Sequence, residues 1–110
     1  DWVVGAPAAT GPAAKLTRDA WSWELTVPDG GSLPFEGAYP SLLKWGAGIT
    51  PPSESLPDQG CRLLSWTVFH PEASQIAPMV ALDDARVVFE TGTPGFKSVI
   101  ATPSGPVTLG

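Results

Sequence analysis

Alternating hydrophobic and polar positions predict two short strands in the first half of the chain. From Trp21 to Val27, large apolar residues occupy every second position, with serine, glutamate and threonine between them. This period of two is typical of a half-buried strand. A second short strand is predicted over residues 41–46, and it places Leu43 and Trp45 on the same face.

The second half of the chain has the pattern of a strand, a helix and three further strands. Residues 61–70 are apolar on both faces, which predicts a central strand covered on each side. After His70 and Pro71, apolar residues recur at helical spacing, which predicts one short helix over residues 72–82. Two strands joined by a glycine-rich turn and a last short strand follow. Residues 60–110 are therefore predicted to form a βαβββ module.

Proline- and glycine-rich stretches divide the chain into three segments. The 13 prolines and 12 glycines have no period, which favours short strands and many turns over a low-complexity sequence. Residues 1–18 are rich in alanine, proline and glycine, and are predicted to be a linker or N-terminal arm. Residues 19–59 hold the two early strands and a long loop, and residues 60–110 hold the module.

Composition and charge exclude several classes of protein. Apolar residues make up 43% of the chain and charged residues 15%, which excludes a disordered tail. The net charge of −5 and the scattered basic residues argue against nucleic acid as a partner. No apolar run approaches the roughly 20 residues of a membrane span, so no membrane association is expected. Cys61 is the one cysteine and cannot form an internal disulfide, which favours the cytoplasm.

The one cysteine and the one histidine flank the same predicted strand. In extended chain the separation of nine positions (70 − 61) corresponds to about 30 Å, so Cys61 and His70 are not a catalytic pair. His70 is either a proton shuttle at a pocket mouth or a corner residue whose ring bonds nearby backbone. Cys61 is interpreted as a buried spacer, because the neighbouring Arg62 side chain lies on the opposite face of the strand.

Several stretches of the sequence resemble one protein family. The most specific are SLPFEGAYPSLLKWG and GCRLLSWTVFHPEA, and LDDARVVFETG and ATPSGPVTL agree with them. Together they are similar to the C-terminal half of glyoxalase-like domain proteins of the vicinal oxygen chelate superfamily, which includes glyoxalases and extradiol dioxygenases. The resemblance covers residues 19–109 and implies an α+β fold with a curved, mainly antiparallel sheet. It also implies that residues 19–59 are the last strands of a preceding module.

The resemblance implies positions for metal ligands that this sequence does not fill. Enzymes of the superfamily place a histidine in the first strand of a module and a glutamate in its last. Those positions correspond here to Leu64 and Thr108, and neither neighbouring register supplies a His–Glu pair. Leucine has no donor atom, and a neutral threonine hydroxyl is a poor lone ligand. No metal site and no cofactor are therefore expected within these residues.

Four tryptophans on predicted strands are the main candidates for ligand binding. In the resembling folds the concave face of the sheet lines a cavity, and aromatic walls suit flat or apolar ligands. The predicted ligand-binding set is Trp21, Trp23, Trp45, Trp66 and His70. The alternative is that the rings fill the core of a small domain.

The resemblance further implies that the sheet is an incomplete cup with exposed edges and apolar surface. We therefore expect either a homodimer or association with a missing N-terminal half. The predicted function is a glyoxalase-like domain that binds a small hydrophobic or aromatic ligand. Two alternatives stay open: a part of a metal-dependent lyase or dioxygenase whose ligands lie in the missing half, and a non-catalytic dimerisation module. Whether the chain is an enzyme also stays open.

Overall fold

The polypeptide divides between Pro57 and Asp58 into two structural units. The computed structural model describes residues 11–110. The sequence pattern places a boundary between residues 59 and 60, and the assignment of the first part to a preceding module stays a prediction. No helix within residues 11–110 is both long enough and apolar enough to cross a membrane.

The first unit is built on a three-stranded antiparallel sheet. Its elements are β1 (Ala13–Arg18), β2 (Trp21–Thr26), β3 (Leu43–Trp45) and the one-turn helix α1 (Pro52–Ser55). The strands lie in the order β1-β2-β3. The two predicted strands β2 and β3 are confirmed, and Trp23 pairs with Trp45 across them. Helix α1 lies in a segment that the pattern predicts to be a loop.

Strand β1 is the element that the sequence pattern misses. The predicted linker or arm covers residues 1–18, of which residues 1–10 lie outside the described residues, while residues 13–18 form a strand. Every residue of β1 pairs with β2 in antiparallel register. The pairing overrides the weak strand propensity of this segment. The connecting turn, Asp19-Ala20, has a positive φ of 55° at Asp19, which aspartate tolerates better than most residues.

The two faces of this sheet differ in chemistry. One face carries a row of oppositely charged residues that pair across the strands: Lys15, Glu24 and Lys44. The other face carries an apolar row in the neighbouring register: Leu16, Trp23 and Trp45. Opposite charges in a cross-strand row stabilise the solvated face, and the alternation of side chains leaves the second face aromatic.

Thr26 joins β2 to the segment before β3 through its side chain. Thr26 is buried, and its Oγ1 accepts a 2.8 Å hydrogen bond from the Leu42 N–H. We expect Thr26→Val to lower the free energy of unfolding by about 1–3 kcal/mol, because that N–H loses its acceptor. Urea denaturation measures the change. The exposed Thr17→Val substitution in β1 is the matched control and should stay within about 0.5 kcal/mol. Equal losses in the two variants would contradict this role for the hydroxyl.

The second unit is a four-stranded mixed sheet with one helix. Its elements are β4 (Arg62–Phe69), α2 (Ala73–Val80), β5 (Val87–Glu90), β6 (Gly95–Thr102) and β7 (Gly105–Leu109). The strand order is β5-β4-β6-β7, with β4 parallel to β5 and the other pairs antiparallel. The parallel pair needs a crossover, which α2 supplies. The predicted α+β fold with mainly antiparallel pairing is confirmed.

Helix α2 contributes the most buried side chains of the second unit. Ile76 is 0% exposed and Ala73 is 2% exposed, while Val68 of β4 is 3% exposed. Pro78 lies inside α2, and the helix ends two residues later at Val80. Proline has no backbone N–H, so Pro78 removes one hydrogen bond from the helix.

Candidate functional site

Three tryptophans of the first unit pack against one another. The ring centroids of Trp21 and Trp45 lie 5.8 Å apart with an interplanar angle of 86°, an edge-to-face arrangement. The centroids of Trp23 and Trp45 are also 5.8 Å apart, with an angle of 59°. Trp45 is therefore the ring that joins the other two. All three residues are only half-buried, so each keeps an accessible surface.

A cavity of about 380 Å³ opens beside these rings. Its lining residues are Arg18, Asp19, Trp21, Trp23 and Trp45. The volume lies within the range of roughly 300–1,000 Å³ that is usual for small-molecule pockets. The described lining thus combines an aromatic wall with the cation of Arg18 and the anion of Asp19.

Arg18 and Asp19 are cavity residues that the sequence prediction misses. Both lie where β1 turns into β2, inside or next to the segment assigned to a linker or arm. Residues 16–18 show no apolar alternation and Asp19-Ala20 is not a typical hairpin turn pair, so the sequence gives no hairpin signal that would identify them. Arg18 pairs with Trp21 across the two strands, which places the two side chains on the same face.

Trp21 also lines a second cavity of about 560 Å³ in the first unit. The other lining residues come from the turn before β2 and from the loop around α1: Ala20, Gly48, Ile49, Thr50, Ser55 and Leu56. None of these side chains is charged. Because Trp21 touches both cavities, substitutions of Trp45 test the first cavity more cleanly.

The remaining predicted ligand-binding residues, Trp66 and His70, lie in the second unit. Trp66 packs against Phe96 of the neighbouring strand with ring centroids 6.0 Å apart. Trp66 is 39% exposed, whereas His70 is 4% exposed. The structure therefore brings three of the five predicted residues together around one cavity. A role in ligand binding stays a prediction for all five.

His70 occupies the corner between β4 and α2. Its Nδ1 accepts a 3.0 Å hydrogen bond from the backbone N–H of Glu72. The backbone N–H of His70 donates to the Glu90 carbonyl, and its carbonyl accepts from the N–H groups of Ala73 and Gly92. These contacts support the interpretation of His70 as a corner residue.

Substitution of His70 tests this structural role. We expect His70→Ala to lower the free energy of unfolding by about 1–3 kcal/mol, because the N–H of Glu72 loses its acceptor. His70→Asn keeps an oxygen near the position of Nδ1 and should recover part of this loss. Chemical denaturation of the two variants checks the expectation. If alanine and asparagine destabilise the chain equally, the ring acceptor does not hold the corner.

Cys61 lies just before β4, which begins at Arg62. Its thiol is free and the residue is exposed. The interpretation of Cys61 as a buried spacer is therefore wrong, because the residue lies outside the strand and its alternation.

The positions at which the superfamily resemblance implies metal ligands do not fit a metal ion. Leu64 is 50% exposed and lies at a register shift between β4 and β6. Thr108 pairs with Val99, and Val99 pairs with Ser65. The side chains of this row, which lies beside Leu64, therefore supply only hydroxyl groups as possible metal ligands. Within residues 11–110, no group of three or more His, Cys, Asp or Glu residues is placed to hold a metal.

Two exposed ion pairs of the second unit shift the pKa values of their carboxyl groups. The Arg86 Nε donates a 2.9 Å hydrogen bond to Asp84, and this lowers the pKa of Asp84 to about 2. The hydrogen bonds from Arg62 hold the pKa of Asp58 well below its usual range. Both pairs are solvent-exposed and join residues close in sequence, so they support local turns.

The Asp84 pair makes a prediction about pH. A lowered carboxyl pKa means that the pair favours the folded state above the ordinary aspartate range, and that this effect is lost as the pH falls toward about 2. We expect an NMR titration to place the Asp84 midpoint near that value. Arg86→Gln should raise the midpoint toward about 4, whereas Arg62→Gln should leave it unchanged. An Asp84 midpoint that is the same in Arg86→Gln as in the parent chain would contradict Arg86 as the cause of the lowered pKa.

The second unit has the βαβββ element order that the superfamily resemblance implies. The sequence model of the glyoxalase-like domain matches residues 5–82, more than half of the 110-residue chain. The chain therefore belongs to the glyoxalase-like domain family, as the sequence resemblance predicts. Among curated proteins and solved structures, the comparisons find no match.

Proposed function

We propose that this chain is a small-molecule-binding glyoxalase-like domain that holds a hydrophobic or aromatic ligand against Trp21, Trp23 and Trp45. The family has a fold that supports small-molecule binding. The observation that carries the proposal is the cavity of about 380 Å³ beside three packed but accessible indole rings. A flat ligand would remove apolar ring surface from water, which is favourable.

The burial pattern of the first unit supports a ligand-facing role for these rings. Within residues 11–57 the buried residues are Thr26, Ala38 and Tyr39, and none of the tryptophans of that range is among them. A buried aromatic side chain removes about 150–250 Å² from water, so rings that served only as core would be expected to be covered. Accessible rings around a ligand-sized cavity are explained by a ligand that covers them when it binds.

Fluorescence titration tests the proposal directly. Small hydrophobic acids and aromatic compounds are added to the purified chain, and calorimetry confirms each compound that changes the tryptophan emission. We expect a saturable change with at least one compound, and we expect Trp66→Phe to leave its affinity unchanged. The absence of saturable binding across the whole library would overturn the proposal.

The proposed site uses no metal ion and no cofactor. Leu64 and Thr108 supply no suitable ligand pair, and the wall of the cavity is aromatic. Elemental analysis of the purified chain should find no stoichiometric divalent metal, and a stoichiometric metal would contradict the proposal. The enzymatic alternative, a metal-dependent lyase or dioxygenase, places its ligands outside these residues. It predicts metal binding only when a polypeptide that supplies those ligands is added.

A second candidate function is assembly into a homodimer. Large apolar residues on three neighbouring strands of the second unit are 39–53% exposed: Leu64, Trp66, Phe96, Val107 and Leu109. Trp66 and Leu109 both pair with Ser98, so they lie in one cross-strand row. Exposed apolar patches often mark interaction surfaces. Light scattering should report a dimer that Trp66→Glu converts to a monomer, and a monomeric parent chain would contradict this candidate.

We propose the cytoplasm as the compartment of this chain. Cys61 is free and exposed, and a reducing compartment keeps such a thiol unpaired. Cell fractionation tests this location, and recovery of the chain from an oxidising compartment would contradict it.

A further inference from the structure

We infer that the ligand of the tryptophan cavity is a small aromatic or apolar carboxylate whose anionic group binds the guanidinium of Arg18. This ligand class rests on the proposed function, because it names the chemistry of the compound that the cavity takes. The supporting observations are the position of Arg18, the absence of an ion pair between Arg18 and any other described residue, and the geometry of the turn that follows it.

Among the cavity-lining residues within 11–110, Arg18 is the one cation. It is the last residue of β1 and pairs with Trp21 of β2. Residues that pair across antiparallel strands share a face, with Cβ atoms about 4.5–5.5 Å apart. The pairing therefore holds the long side chain of Arg18 on the aromatic face, beside the surface that a ligand would cover.

Arg18 differs from the other two arginines of the chain in its partners. Arg62 donates to Asp58 at 2.8 Å, and Arg86 donates to Asp84 at 2.9 Å. Arg18 forms no ion pair with any residue between 11 and 110. Its planar group of N–H donors matches a carboxylate in bidentate geometry. An unpaired guanidinium at an aromatic cavity therefore favours an anionic ligand.

Asp19 also lines the cavity and is the main feature that opposes this inference. Three indole rings and a carboxylate could instead attract a quaternary ammonium group. Asp19, however, lies in the turn with a φ of 55°, outside the β1–β2 ladder, so no pairing directs its short side chain onto the aromatic face. Arg18 pairs with Trp21 on the aromatic face, and its side chain is long enough to extend along the cavity. We therefore assign Arg18 as the group that selects the ligand.

Matched probes that share one ring system separate charge recognition from apolar contact. Calorimetry compares naphthoate, naphthamide and a naphthyl trimethylammonium salt on the full chain. We expect naphthoate to bind about tenfold more tightly than naphthamide, with the ammonium compound weakest. The preference for naphthoate should decrease as salt is added, because the contact lies at a partly exposed site.

Variants of one strand supply the controls. Arg18→Gln should reduce the affinity for naphthoate to that for naphthamide, and Arg18→Lys should keep part of the preference. Lys15→Gln removes the same charge from the opposite face of β1 and should change neither affinity. Asp19→Asn should strengthen naphthoate binding by removing a like charge. Because Arg18, Lys15 and Asp19 are exposed, all four variants are expected to fold, which circular dichroism verifies.

The outcomes distinguish this inference from the proposed function. Equal binding of naphthoate and naphthamide, or naphthoate binding that survives Arg18→Gln, overturns the carboxylate assignment and leaves the aromatic site intact. Tightest binding of the ammonium compound also overturns it and assigns selection to Asp19. Failure of all three probes together with every compound of the library overturns both proposals.

Discussion

Trp45→Ala is expected to weaken ligand binding in the cavity by about 10- to 100-fold. Trp45 is the ring that contacts both Trp21 and Trp23, at 5.8 Å in each case. Its removal deletes one wall and leaves the other two rings without their shared packing partner. Loss of the contact of one aromatic ring with a ligand corresponds to about 1.5–3 kcal/mol, which gives the expected factor. Calorimetry with the best ligand of the library measures it.

Two further variants separate loss of the wall from loss of the fold. Trp45→Phe keeps an aromatic ring and should retain most of the affinity. Trp66→Ala removes an indole from the second unit and should leave the affinity unchanged. Near-ultraviolet circular dichroism should change strongly in Trp45→Ala, because the packed rings are then separated. Unchanged affinity in Trp45→Ala would show that the ligand binds elsewhere.

Ile76→Ala is expected to lower the free energy of unfolding of the second unit by about 2–5 kcal/mol. Ile76 is 0% exposed, so its truncation removes buried methyl groups and leaves a cavity under α2. A loss of this size is a large part of the roughly 5–15 kcal/mol that stabilises an ordinary domain. Chemical denaturation followed by the NMR signal of the Trp66 indole N–H reports on this unit.

Met79→Ala in the same helix is the matched control for Ile76→Ala. Met79 is 38% exposed, so less of its side chain is removed from water on folding. We expect a loss of less than about 1 kcal/mol for this variant. Similar losses at Ile76 and Met79 would contradict the burial of Ile76 as the source of stability in α2.

The elements with a strong local period are the ones that the sequence predicts correctly. Alternation identifies β2 and β3, and the apolar run and helical spacing identify β4 and α2. Strand β1 is not predicted, because its alanine-rich sequence has little strand propensity. In the structure its antiparallel pairing with β2 stabilises the extended conformation. The same omission hides Arg18, whose place at the cavity follows from that pairing, and Asp19, which lies in the turn between the two strands. Cys61 is misjudged because β4 begins one residue later than the pattern indicates.

Which tryptophans lie together is also known only from the structure. Trp23 and Trp45 are separated by the long connection of residues 27–42, and a sequence does not give the register across such a loop. A shift of one residue would have turned Trp45 to the charged face. The resemblance to the glyoxalase-like family predicted the fold class, and only the register shows which rings share a cavity.

The most direct test of the binding site is an NMR correlation spectrum of the indole N–H groups. The signals are assigned with single tryptophan-to-phenylalanine variants and followed while the best ligand of the library is added. We predict that Trp21, Trp23 and Trp45 shift together and saturate at one common ligand concentration. Saturable binding that leaves these three signals in place would contradict the assignment of the cavity as the binding site.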